Sequence, residues 1–167
     1  ILNNIVWYYE NGQKMWEGIY DEYGKLRKEG NYKNDTIKHG KFISYNQYGH
    51  KEIVEEYKDG EKYGLWEQYN EIGELLNQVS YYGYKQSEKK YKNGILNNIV
   101  WYYENGQKMW EGNNKDRKKY GERVYYHEDG KIDKVEYYNN GHLSTKEDYI
   151  DGNIQNRSVT GYLVNKW

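Results

Sequence analysis

The chain has 167 residues, a formal net charge of −1, 18% aromatic and 31% charged side chains, and neither Pro nor Cys. The missing Cys excludes a disulfide framework and a Cys metal cluster, and the balanced charge removes any general pull toward nucleic acid or anionic membrane. No apolar run reaches the length of a spanning helix, so no membrane span is expected.

The first element, Ile1–Gly18 (ILNNIVWYYENGQKMWEG), returns letter for letter as Ile95–Gly112. A long verbatim copy marks a duplicated structural unit, and repetition decides a fold before any local signal does. Gly40–Gly49 (GKFISYNQYG) and Gly64–Gly73 (GLWEQYNEIG) come next, and Gly121–Gly130 (GERVYYHEDG) follows the second copy. All share the frame G-x-Φ-x-x-Y-x-x-x-G, where Φ is usually apolar and Asn3 and Asn97 replace the first glycine in the two copies. A Tyr stands eight residues after most closing glycines, at Tyr20, Tyr32, Tyr57, Tyr81, Tyr91, Tyr138 and Tyr149. Several of these open a turn tetrapeptide: YKND at Tyr32, YKDG at Tyr57, YKNG at Tyr91 and YIDG at Tyr149. Asn-Gly and Asp-Gly supply the positive φ angles that tight hairpin turns need.

Turns at this spacing leave room for strands of about five residues and interrupt any helical pattern before it can nucleate. The spacing predicts an all-β fold, an elongated single-layer antiparallel β-meander of tandem hairpin repeats that forms one continuous array over residues 1–167. Two intervals, Gly12 to Gly49 and Gly73 to Gly106, each hold an extra half-step that a strict two-strand unit does not accommodate. The array reads as part of a longer one, since Ile1 enters in mid-unit and TGYLVNKW (Thr160–Trp167) resembles the start of another unit.

The segments Tyr57–Gly73 (YKDGEKYGLWEQYNEIG) and Tyr91–Gln107 (YKNGILNNIVWYYENGQ) resemble MORN-repeat-variant units of YwqK-type bacterial proteins. The resemblance covers most of the chain. It implies a single-layer repeat sheet and a role as an antitoxin or immunity protein that neutralises a toxin. WYYENGQKMWEG is also similar to the choline- and glucan-binding repeats of secreted wall-binding proteins.

Alternation along a strand puts residues two apart on one face. The fixed Tyr of the frame (Tyr8, Tyr45, Tyr69, Tyr102, Tyr126) then shares a face with Val6, Ile43, Glu67, Val100 and Val124, and its constancy predicts a stacking spine. The opposite column, Trp7, Ser44, Gln68, Trp101 and Tyr125, varies freely. Trp7, Trp101 and Tyr125, with Trp16 and Trp110 on the following strands, are candidates for a partner-binding surface, because Trp and Tyr anchor protein interfaces. Glu52, Glu55, Glu56 and Glu61 lie in the acid-rich segment Lys51–Glu74 and are candidates for docking a basic partner, whereas Lys115–Arg123 (KDRKKYGER) is basic.

His39, His50, His127 and His142 fit no close metal-ligand motif, and no nucleophile elbow, phosphate loop or dinucleotide fingerprint occurs. Catalysis needs one unique constellation, and repetition works against it. The expected function is a non-enzymatic, cytoplasmic protein-binding module without cofactor. Its partner is another protein such as a basic toxin or nuclease, with no direct nucleic-acid contact. A secreted carbohydrate- or choline-binding module and a structural spacer remain the alternatives.

Overall fold

A computed structural model describes residues 3–160. Ile1, Leu2 and the expected new unit from residue 161 onward lie outside the described residues. Within them the chain is all-β, with fourteen antiparallel strands and no helix. It divides into two compact units after Lys85. The first holds β1 (Asn3–Tyr8), β2 (Lys14–Tyr20), β3 (Leu26–Tyr32), β4 (Lys38–Tyr45), β5 (Lys51–Lys58), β6 (Glu61–Tyr69) and β7 (Leu75–Tyr82). The second holds β8 (Lys85–Lys92), β9 (Ile95–Tyr102), β10 (Lys108–Lys115), β11 (Lys118–Tyr126), β12 (Ile132–Asn139), β13 (His142–Ile150) and β14 (Asn153–Val159). Inside each unit every strand pairs with its chain neighbours, so each is a meander of successive hairpins.

Two turn types recur, and the sequence specifies both. The frame glycines Gly12, Gly24, Gly49, Gly73, Gly106 and Gly130 all have φ between 76° and 87°. Each donates its N–H to the carbonyl three residues earlier, as Gly12 does to Tyr9 at 2.9 Å and Gly106 to Tyr103 at 3.0 Å. This is a type I turn closed by a left-handed residue, which only glycine enters without steric cost. The register shift that it introduces sits beside the frame Tyr, at Tyr8, Tyr45, Tyr69 and Tyr126. The second type is a two-residue turn with positive φ at both positions: Asp59-Gly60, Asn93-Gly94, Asn140-Gly141 and Asp151-Gly152. These are the predicted YKDG, YKNG and YIDG turns, with Asn140-Gly141 in addition. YKND behaves differently: Asn34 caps a longer loop by accepting the N–H groups of Thr36 and Ile37.

The extra half-steps are extra strands. One strand, β5, separates the frame strands β4 and β6, but two strands separate β1 from β4 and β6 from β9. In the first unit the consequence can be followed pair by pair. Val6 faces Glu17, Glu17 faces Gly30, and Gly30 faces Phe42. The frame aligns Val6 with Ile43, yet the sheet puts Val6 on the Phe42 face. Insertion of β3 turns the repeat over, so Trp7 and Trp16 lie on the face opposite Phe42 and Trp66. In the second unit the frame holds, because Val100, Glu111, Val124 and Val135 pair in succession.

The predicted stacking spine is also corrected. Rings do run in a row, but through Tyr32, Phe42, Tyr57, Trp66 and Tyr81, with centroid separations of 5.1 to 5.5 Å. The frame tyrosines Tyr45, Tyr69 and Tyr126 instead donate their hydroxyls to Glu29, Glu67 and Glu111. A register shift lies beside each of these three tyrosines.

There is little apolar core. Val54, Ile99, Val100 and Val135 are the buried apolar side chains among the described residues, and no side chain is fully buried. Half-buried Tyr, Trp and Lys side chains lie along the faces, their stems covering the sheet while polar tips reach one another.

One turn breaks the rule of the others. Asp116-Arg117 puts Arg at φ 64° where the other four two-residue turns have Gly. An L-residue there costs about 1 kcal/mol or more. Arg117→Gly should therefore raise stability by about 1 kcal/mol, read as a higher urea midpoint, while Gly94→Arg lowers it by a similar amount.

Candidate functional site

The aromatic residues selected by sequence assemble into two clusters, one in each unit. In the first, Trp7 and Trp16 face each other across β1 and β2 with ring centroids 5.0 Å apart and planes tilted by 41°. The indole N–H of Trp16 donates to Glu29 at 3.3 Å, and the same carboxylate accepts the Tyr45 hydroxyl. This bond draws the Trp16 ring across Gly18, where a Cβ would lie 2.2 Å from it. Trp7 stays 57% exposed.

The second cluster uses the identical hairpin differently. Trp101 and Trp110 stack at 6.3 Å with planes only 21° apart, and Tyr125 continues the row at 6.4 Å from Trp110. Gly112 is again covered, but by Arg123, whose Nε lies 2.9 Å from where a Cβ would stand. The guanidinium sits 4.6 Å from the Trp110 ring centre and 5.9 Å from that of Tyr138. Glu29 faces Gly18, whereas Arg123 faces Gly112. A carboxylate pulls one Trp over its glycine, and a guanidinium takes the same place over the other. Lys134 caps the Tyr125 ring at 4.3 Å.

Glu136 ties this cluster together. It accepts hydroxyls from Tyr125 and Tyr138, both at 2.9 Å, and pairs with Lys134 at 3.3 Å. Burial opposes its charge, but the two hydroxyls and Lys134 outweigh it and hold the carboxyl below the usual glutamate range. The pattern is general. Tyr32 donates to Glu17, Tyr57 to Glu55, Tyr102 to Glu88, and Tyr137 and Tyr149 to Glu147.

The acidic candidates do not form one strip. Glu55 pairs with Phe42 on one face, accepts the Tyr57 hydroxyl at 3.1 Å and lies 3.9 Å from Lys38. Glu56 pairs with Lys41 on the other face, where its carboxylate fills the space over Gly64. Glu52 and Glu61 are exposed. Glu52 borders an open hollow with Phe42, Ser44 and Ile53, and Glu61 faces Lys58 across its turn. The basic run disperses similarly, with Lys115 over Tyr120 and Lys119 over Tyr138. His39 lies 3.4 Å from Asp59 and His127 lies 3.6 Å from Asp133, and among the described residues no group of His, Asp or Glu is arranged to hold a metal. Among the described residues no helix is long and apolar enough to cross a membrane.

Arg123, Lys134 and Glu136 were not among the residues that sequence reasoning singled out. A usable signal existed in Gly18, Gly30 and Gly112, which occupy strand interiors rather than turns. Glycine inside a strand marks the close approach of another group, and here Trp16, Phe42 and Arg123 supply it. No protein-family model matches the chain, and neither does any curated protein.

The Tyr–Glu bonds make a pH prediction. Burial first, and then the neighbouring carboxylate, push Tyr45, Tyr57, Tyr69, Tyr126 and Tyr138 up to about 12. A pKa raised in the folded state favours the neutral phenol, so the stabilisation is fully present below the unfolded value near pH 10. It is lost as pH rises from 10 through 12. Urea midpoints should be flat from pH 8 to about 9.5 and fall steeply above it, together with late tyrosinate absorbance.

Proposed function

We propose that the chain is a non-enzymatic module that binds another protein through its aromatic surfaces. The observation that carries this reading is the Trp101–Trp110–Tyr125 row with Arg123 laid over Trp110. Trp, Tyr and Arg are the residues that most often dominate interface energetics, and here they are held on paired strands. Their positions are set before any partner arrives, which lowers the ordering cost of binding. In its fuller form the reading is an inhibitor that neutralises a basic toxin or nuclease. That part draws on the resemblance to MORN-repeat-variant proteins and on exposed carboxylates such as Glu52 and Glu61.

The carbohydrate- or choline-binding alternative needs bare ring faces for stacking or cation–π contact. Arg123 and Lys134 already occupy faces of Trp110 and Tyr125, which favours the protein-binding reading.

The test is affinity capture of the partner by the wild-type chain and by a Trp7→Ala/Trp101→Ala variant, after circular dichroism has shown both to be folded. Loss of a buried Trp anchor typically weakens an interface by about 2 kcal/mol, roughly thirtyfold in affinity. Equal recovery of one partner by both chains would contradict the aromatic-surface reading.

A further inference from the structure

The dipeptide Asn-Gly occurs at Asn11-Gly12, Asn93-Gly94, Asn105-Gly106 and Asn140-Gly141, each time in a turn that joins two strands. The Gly nitrogen of such a pair can attack the side-chain carbonyl carbon of its Asn, because no Cβ crowds the approach. The attack requires the Gly N–H to lose its proton and the Asn amide to swing toward it. A hydrogen bond to either group holds the pair back, and the four sites differ in those bonds.

Asn11-Gly12 and Asn105-Gly106 are held in both groups. Gly12 donates its N–H to the Tyr9 carbonyl at 2.9 Å, and Gly106 donates to that of Tyr103 at 3.0 Å. Asn11 Oδ1 accepts the N–H of Gln13 at 3.0 Å, and Asn11 Nδ2 donates to the Gln13 side chain at 3.1 Å. Asn105 Oδ1 accepts the N–H of Gln107, and its Nδ2 donates to the Glu128 carbonyl, both at 2.9 Å. Asn140-Gly141 is held through its Gly, whose N–H donates to the Lys119 carbonyl at 2.9 Å. Asn93-Gly94 is the same two-residue turn, with φ 52° at Asn93 against 50° at Asn140, and both of its residues are exposed. Among the described residues, neither the Gly94 N–H nor the Asn93 amide has a hydrogen-bond partner.

We propose that Asn93 is a modification site, at which the folded chain deamidates without an enzyme. The Gly94 nitrogen gives its proton to solvent base and bonds to Asn93 Cγ, while Nδ2 takes a proton from water and leaves as ammonia. The cyclic succinimide that results then takes up a water molecule. Opening at the side-chain carbonyl gives aspartate at this position, and opening at the main-chain carbonyl gives isoaspartate. The turn accepts the first product, since Asp59 and Asp151 stand in the same kind of turn at φ 52° and 49°. The second product routes the main chain through the side-chain carbon and lengthens a closure that sets Lys92 opposite Ile95. That change loosens the end of the β8–β9 hairpin, whose second strand carries Trp101. The proposal rests on turn chemistry and does not depend on what the aromatic surfaces bind.

The test is incubation of the full chain at mildly alkaline pH, followed by peptide mapping with mass spectrometry and chromatographic separation of aspartate from isoaspartate. Asn93 should convert first, about fivefold faster than Asn140, as the loss of one backbone hydrogen bond implies. Asn11 and Asn105 should convert last. In concentrated urea the four rates should converge, because the fold alone separates them. Amide hydrogen exchange should find Gly94 less protected than Gly12, Gly106 and Gly141. Asn93→Gly keeps a pair that suits the turn and should remove the early product while Asn140 reacts at its original rate. Conversion at Asn11, Asn105 or Asn140 as early as at Asn93 would overturn the proposal. An order that persists in urea would overturn it too, since its cause would then lie in the neighbouring sequence and not in the fold.

Discussion

A sheet with both faces uncovered must obtain its stability within the sheet, and here the recurring device is a tyrosine hydroxyl held by a glutamate carboxylate. Some of these bonds cross between strands, as from Tyr126 to Glu111 at 2.7 Å, and others run along one strand, as from Tyr69 to Glu67 at 2.8 Å. A hydrogen bond to a charged partner contributes more than a neutral one, on the order of 1.5–3 kcal/mol where water is kept away. Water is kept away only partly here, so each bond falls toward the low end of that range. The ring beneath each hydroxyl also covers backbone that no second layer shields. Aromatic rows and lysine caps complete that cover on the same faces. This explains why so aromatic a chain has so small an apolar core.

The same constraint shapes the candidate surfaces. Rings that must cover their own sheet remain half exposed, so the surfaces available for recognition are also the ones that stabilise the fold. What differs along the chain is the group that each ring meets. Trp16 meets Glu29 and folds over Gly18, and Trp110 meets Arg123 and stacks on Trp101. One hairpin sequence thus presents two different faces, each set by the strand laid beside it.

Much of the fold was legible in the sequence because turn chemistry is local. Asn-Gly and Asp-Gly pairs and the frame glycines marked strand ends correctly, and the aromatic candidates do come together as Trp7 with Trp16 and as Trp101 with Trp110 and Tyr125. What was not legible depended on register. Alternation within β1 was read correctly, but adding β3 turned the next repeat over, so residues aligned in sequence stand on opposite faces. The acids of Lys51–Glu74 looked like a strip because they are close in sequence, yet Glu55 and Glu56 are neighbours that point to opposite sides. The fixed Tyr was read as a stacking residue because aromatic constancy usually means packing. Its role as a donor emerges only once the pairing brings a carboxylate within reach, as for Tyr45 and Glu29.

The role given to the Tyr–Glu bond can be measured directly at the cross-strand pair Tyr126 and Glu111. Urea unfolding of the wild type, Tyr126→Phe, Glu111→Gln and the double variant forms a thermodynamic cycle that isolates the pairwise term. A coupling energy of about 1 kcal/mol or more is expected, with the double variant losing less than the sum of the single ones. Purely additive losses would mean that the hydroxyl and the carboxylate merely lie side by side, and that the sheet is held by something else.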